Sequence, residues 1–289
     1  MKRLALALAA FVVVIASLSL VAGEVLTRPV RQAIGAPPPG LGTEVVTLKD
    51  GNGLTIAGWF LPGRSGEGAV LPLHGVRGNR LQMLARARWL QREGIASLLI
   101  DLPAHGESGG DRISFGRQEA LATEAALAWL RTRLPAEKVG AIGVSLGGAS
   151  LLFARRQPEL DALVLESVYP TINDAVQDRL AMRLGSIASQ ALAPLLLVQL
   201  PLRLGLSTDD LRPLAAVAHV HAPLLVASGT KDLHTRWVET ERLFAAAREP
   251  KSLWAAQGAA HVDLHAFDAA AYEARLGPWL KAQLRKSPG

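Results

Sequence analysis

The chain has 289 residues, with 31 Lys and Arg against 25 Asp and Glu, a formal net charge of +6, no cysteine and 49% hydrophobic side chains. That length supports its own core, as one domain with an insertion or as two small domains, and the lack of cysteine excludes disulfides, thiolate metal sites and a thiol nucleophile. The basic residues are scattered through helical stretches, Arg86, Arg88, Arg155 and Arg156 among them; they read as a solvated surface, with no aromatic-interleaved stripe for nucleic acid.

The first predicted element is a helix: Lys2 and Arg3 precede an apolar stretch from Leu4 to Gly23, broken only by Ser17 and Ser19 and long enough to cross a bilayer. Three readings fit residues 1–28: an uncleaved membrane anchor, a secretory signal cut near Ser17-Leu18-Ser19, or a buried soluble helix. Lys2 and Arg3 favour a cytoplasmic N-terminus with the body outside, an argument that Arg28 and Arg31 on the far side weaken. The expected location is therefore a membrane-anchored, extracytoplasmic domain or, after cleavage, a secreted or periplasmic one. Residues 29–42, centred on Pro37-Pro38-Pro39-Gly40, predict a stiff extended linker. The main domain is then expected over 43–289.

Within it, Thr43–Leu48 and Leu54–Leu61 flank the turn cluster Asp50-Gly51-Asn52-Gly53 and predict an antiparallel hairpin. Gly68–Leu73 and Ile95–Ile100 read as buried parallel strands around a helix over Arg80–Arg92. A helix over Gly116–Leu134, a strand at Val139–Val144, a helix over Leu146–Gln157 and a strand at Leu160–Leu165 continue the alternation, which predicts an α/β domain with a mostly parallel sheet and helices on both faces. The rhythm breaks over 169–220, a helical insertion, and resumes with strands at Leu224–Ser228 and Ser252–Ala255 and a final helix near Ala269–Leu284.

The chemistry centres on Gly143-Val144-Ser145-Leu146-Gly147, between an apolar strand and a small-residue helix start. A serine hydroxyl is a weak nucleophile and needs a sharp turn where a base reaches it; Gly143 and Gly147 make such a turn sterically possible. With these residues in place, the chain after the linker resembles the α/β-hydrolase superfamily, in the form of a bacterial membrane-associated serine esterase. Leu71-Pro72-Leu73-His74-Gly75-Val76-Arg77-Gly78-Asn79 is similar to the family's oxyanion loop, and the resemblance implies that the backbone N–H groups of Val76 and Leu146 form the hole, with Gly75 as a loop glycine. Asp101-Leu102-Pro103-Ala104-His105-Gly106-Glu107-Ser108 is similar to a supporting loop, with Ala104 where the family has glycine and His105 outside the chemistry.

The same resemblance makes Asp232, after the strand Leu224–Ser228, the orienting acid, and His261, after the last strand, the base, with Ala260 in place of a usual glycine. Other readings stay open: Asp232 as the N-cap of a helix starting near Thr235, Glu166 as the alternative acid, and His234 or His265 as the base. The order Ser, Asp, His agrees with this superfamily. Neither metal nor cofactor is expected. The insertion resembles an apolar lid, since Leu184 to Leu202 holds no charged residue; a membrane span there would separate Ser145 from Asp232 and His261. The expected activity is hydrolysis of small or lipid-like acyl esters. A serine peptidase, an acyltransferase or thioesterase, and a catalytically silent membrane-tethered binding protein are the alternatives.

Overall fold

The structure, a computed structural model, describes residues 1–155 and 160–286. Its elements follow in chain order: α1 (Lys2–Thr27), β1 (Val30–Arg31), β2 (Glu44–Lys49), β3 (Thr55–Leu61), β4 (Ala69–Leu73), α2 (Leu84–Arg92) after a 3-10 turn at Arg80–Met83, β5 (Ala96–Ile100), β6 (His105–Gly106), α3 (Glu119–Arg133), β7 (Val139–Val144), α4 (Leu146–Phe153) and β8 (Ala162–Glu166). The second half adds α5 (Ile172–Leu197), α6 (Leu200–Leu204), α7 (Pro213–Val217), β9 (Leu224–Gly229), α8 (Trp237–Ala246), β10 (Lys251–Ala256), α9 (Leu264–Phe267) and α10 (Ala269–Leu284). The predicted helix after Ser145 stops at Phe153; its expected end at Gln157, like Arg156, lies outside the described residues.

Among the described residues an eight-stranded sheet runs in the order β10-β9-β8-β7-β4-β5-β3-β2, and only β3 opposes the rest. The hairpin forms where the turn cluster sets it, because Asp50 Oδ1 accepts from the N–H groups of Asn52 at 2.9 Å and Leu54 at 2.8 Å and Gly53 takes φ +79°. Strands β4, β5, β7 and β8 are buried at every position, the signature of strands covered by helices on both faces. One apolar core lies with α3, α4 and α7, and a second packs Trp89 and Leu90 of α2 against Tyr272, Leu276 and Leu280 of α10. This is the α/β-hydrolase architecture, preceded by the apolar N-terminal helix.

One expectation needs correction. Residues 29–42 do not stand free: β1 pairs in parallel with β6, Glu107 accepts from the Ile34 N–H at 2.9 Å, and Gln91 reaches the Leu41 carbonyl at 2.8 Å. The extended backbone that proline favours leaves its N–H and C=O groups unpaired, and here the body supplies partners.

Candidate active site

The sheet order places the ends of β7, β8, β9 and β10 side by side, so parallel strands deliver three separate loops to one edge. Ser145 follows β7 at φ 48° and ψ −106°, a backbone conformation that L-residues avoid unless surroundings enforce it. Its N–H donates to the Glu166 carbonyl at 2.8 Å and its carbonyl accepts from Ala149 at 3.0 Å. The turn needs glycine on both sides: a Cβ at 143 would lie 2.5 Å from Gly148 Cα, and one at 147 would lie 2.6 Å from the Leu73 carbonyl oxygen. The side chain stands at the mouth of the elbow, 5% exposed.

Asp232 and His261 are brought together by the neighbouring strands β9 and β10. Their loops are cross-tied, Lys231 N–H donating to the Ala259 carbonyl at 2.8 Å and Thr230 N–H to that of Ala256 at 3.1 Å. Asp232 divides its oxygens: Oδ1 accepts from His234 N–H at 2.8 Å and Thr235 N–H at 2.9 Å, while Oδ2 lies 2.8 Å from His261 Nδ1. The helix-cap reading is corrected: α8 starts at Trp237 with Arg236 as its N-cap, and Asp232 instead holds the turn that precedes it. Burial alone would raise the Asp232 carboxyl, but His261 and the two N–H donors outweigh it and hold it below the ordinary carboxylate range. The charged carboxylate makes Nδ1 the protonated nitrogen of His261 and turns Nε2 outward as acceptor. Among the described residues no hydrogen bond joins Ser145 Oγ to His261.

The loop after β4 is held by two buried histidines. His74 Nδ1 lies 2.8 Å from the Gly75 carbonyl and its Nε2 accepts from Leu102 N–H at 3.0 Å; His105 Nδ1 lies 2.8 Å from the Pro103 carbonyl and its Nε2 accepts from Arg77 N–H at 3.1 Å. Each is neutral in this arrangement. Burial and the neighbouring His105 push His74 down to about 3, and burial also lowers His105. Gly75 N–H is taken by Gln82 Oε1 at 3.0 Å, so Val76 N–H lies between two engaged donors and has no acceptor among the described residues. Leu146 is the first residue of α4, where N–H groups have no acceptor within the helix. A Cβ on Gly75 would lie 3.8 Å from Ser145 Cβ, which sets the loop against the elbow. Ala104, where glycine was expected, keeps the glycine backbone with φ +64°.

The family model for serine aminopeptidase, S33 (Hydrolase_4) matches residues 64–216, more than half of the chain and inclusive of Ser145 and most of the helical insertion. The chain belongs to this family of α/β-hydrolases. The hydrolase is 30% identical over 244 residues to the Mycobacterium tuberculosis protein Rv2307c, covering 83% of this chain and 79% of that one. It is 28% identical over 263 residues to YfhR of Salmonella typhimurium, covering 87% and 85%. Among solved structures, the Pyrococcus furiosus esterase Pf2001 superposes with TM-score 0.73 at 22% identity over 90% of this chain and 98% of that one. The α/β hydrolase GrgF from Penicillium superposes with TM-score 0.64 at 20% identity, over 84% and 99%. These two share the fold.

Beneath its catalytic edge the hydrolase carries a charged cluster that corrects the surface reading of its arginines. Arg86 is fully buried: it donates to Glu166 Oε2 at 2.6 Å, to both oxygens of Asp263 at 2.7 and 2.6 Å, and to Tyr272 OH at 3.1 Å. Glu166, the alternative acid, is thereby engaged with Arg86 and Tyr272, and among the described residues no hydrogen bond joins it to His261. Of the remaining candidates, His265 lies away from Asp232, bonded to Glu273 at 3.0 Å and stacked on Trp89, whereas His234 stays beside the pair, its ring 4.8 Å from that of His261. Arg80 is equally hidden, paired to Asp101 at 2.6 Å and to Glu107. A signal for Arg86 exists in the chain: Met83, Arg86, Ala87 and Leu90 form an i, i+3, i+4, i+7 stripe, so the arginine sits on the apolar face. Among the described residues, Asp232, His234 and His261 form the one cluster with metal-ligand atoms within 4.8 Å of one another, but Oδ2 and Nδ1 in it are already spent on each other.

Proposed function

We propose that this hydrolase is a membrane-held serine esterase. The carrying observation is the 2.8 Å bond between Asp232 Oδ2 and His261 Nδ1, at the same sheet edge as a serine on a left-handed elbow. Ser145 Oγ attacks the ester carbonyl carbon while its proton passes to His261 Nε2, and the charge on the carbonyl oxygen is met by the Val76 and Leu146 N–H groups. Collapse breaks the bond to the alcohol, which leaves with the proton from His261. Water, deprotonated by the same nitrogen, then releases the acid and restores Ser145. Asp232 orients the ring and balances its charge throughout.

The anchor reading of α1 rests on Ser19, whose Oγ donates to the Leu195 carbonyl at 2.9 Å and accepts from Gln199 at 2.9 Å. Cleavage beside Ser19 would break this contact with the body. The basic N-terminus favours an extracytoplasmic domain. The family's aminopeptidase description supports a second reading, amide cleavage by the same three residues.

The test compares p-nitrophenyl esters of two to sixteen acyl carbons with aminoacyl p-nitroanilides, using detergent-solubilised protein and Ser145→Ala. Ester turnover should fall roughly 10⁴-fold or more in the variant. Anilide turnover exceeding ester turnover would favour the peptidase. A folded protein that cleaves neither and is not labelled by a fluorophosphonate would be a silent binding protein.

A further inference from the structure

The apolar insertion and the N-terminal helix, far apart in sequence, are packed together. Gly185, at φ 79° and ψ 167°, breaks α5 into two arms, and Ile172 and Val176 of the first share a cleft with Leu196 and Leu197 of the second and with Leu26 of α1. Besides the Ser19 contacts, Arg203 Nη2 donates to the Leu20 carbonyl at 2.6 Å. Glu24 is held by Arg203 at 2.6 Å and Arg112 at 2.7 Å. Gly23 is buried at this contact, where an added Cβ would collide with Gln199, the close approach that small residues permit between membrane helices. Arg77, in the loop beside Ser145, bonds the Val25 carbonyl. The helix is therefore stapled to both the lid and the catalytic loop.

What the lid leaves uncovered is a stripe. Leu184, Ile187, Ala191, Leu195, Val198 and Leu202 follow one another at spacings of three or four, and all are exposed. Ile187 is 86% exposed, Val198 68% and Leu202 90%, and no charged residue lies between 184 and 202. Such a surface is costly in water and is the mark of an interaction site. Its neighbour decides the occupant. Leu18, Leu20 and Val21 of α1, beside the contact, are exposed as well, and α1 is long and apolar enough to cross a membrane. The ion pairs of Glu24 with Arg203 and Arg112 mark where this apolar surface ends.

We propose that the outer face of the α5–α6 lid rests in the same bilayer leaflet as α1, lying at the depth of an interfacial helix, so that acyl substrate reaches Ser145 from the membrane side. This rests on the membrane-held esterase reading. Two arms of one experiment keep the failure of either distinguishable.

The full chain has no cysteine, so single sites take a fluorophore cleanly. Ile187→Cys and Leu202→Cys, each carrying a nitrobenzoxadiazole label, are reconstituted in phosphatidylcholine–phosphatidylglycerol vesicles. Val13→Cys on α1 and Val238→Cys on the body serve as references. Shallow doxyl-labelled lipid should quench labels 187 and 202 at least twofold more than label 238, and deep doxyl-labelled lipid should quench label 13. Quenching at 13 with 187 and 202 matching 238 would overturn the lid proposal and keep the anchor; no quenching at 13 would overturn both. In the second arm, Ile187→Asp with Leu202→Asp should lower turnover of a vesicle-embedded long-chain ester at least tenfold more than turnover of p-nitrophenyl acetate by the same variant. An equal fall on both substrates overturns access from the membrane. Wild type that cleaves neither ester sinks the esterase reading alone, while the quenching still reports where the lid lies.

Discussion

Two charged clusters, one around Asp232 and one around Arg86, are built differently. Around Asp232 one carboxylate meets two backbone N–H groups, the Ser228 hydroxyl and one histidine, so its charge is satisfied locally, and among the described residues His261 Nε2 takes no hydrogen bond. Around Arg86 one guanidinium faces two carboxylates and a phenol, with every group engaged in holding another. The first arrangement leaves a reactive atom unspent; the second leaves none. Their connection is mechanical. Arg86 grips Asp263, two residues after His261, and Glu166, whose carbonyl receives the Ser145 N–H, so one side chain ties the His261 loop to the Ser145 turn.

The largest effect expected from breaking this contrast is on rate. Asp232→Asn keeps an oxygen for the His234 and Thr235 N–H groups but presents an amide to His261 and favours the wrong tautomer; kcat should fall about 10⁴-fold with the melting temperature nearly unchanged. A melting temperature that drops with activity would mean Asp232 serves mainly to hold the turn before α8. Arg86→Met should do the reverse. Removing one partner strands two carboxylates, at a cost of about 3–5 kcal/mol in stability, read by urea unfolding in detergent. Any activity left in the folded fraction then reports how far the His261 loop depends on it.

Acid should separate the regions again. His74 is held near 3 against an ordinary value of 6.5, so the unfolded chain takes up the proton first and stability falls progressively as pH drops from about 6.5 towards about 3. His105 adds to this in the same direction. Asp232 acts lower: its depressed carboxyl contributes stability above its ordinary range, lost as pH falls through the folded value. Melting temperature against pH for His74→Asn should show a shallower fall between pH 6.5 and 4 than wild type, and an identical slope would place the acid sensitivity elsewhere. The smallest effect is expected at Ala104, where φ is +64° and the methyl is fully buried. Ala104→Gly relieves about 1–2 kcal/mol of left-handed strain but loses about 0.8 kcal/mol of buried methyl and adds chain entropy to the unfolded state, so the melting temperature should move by only a few degrees.

Much of the catalytic edge was legible because its signals are local. A nucleophile elbow needs glycines two residues either side of the serine, a constraint written in five consecutive positions. The α/β alternation places Asp232 and His261 after successive strands, and the family resemblance implies their roles as acid and base. The Arg86 cluster was missed because an arginine in a helix reads as solvated, and only the far partners Glu166, Asp263 and Tyr272 turn it inward. The support that His105 gives to Arg77 was hidden for the same reason: the bond spans 28 residues.

By itself, then, the chain determined its strands and helices, the elbow and the membrane-length apolar helix, all set by hydrophobic period, turn chemistry and backbone sterics within a few residues. Tertiary structure decided which arginines are buried, which oxygen of Asp232 meets His261, that residues 29–42 lie against the body, and that the α5–α6 insertion packs on α1. Those outcomes depend on groups distant in sequence meeting at hydrogen-bond range, where burial without a partner is costly and burial with one is stable.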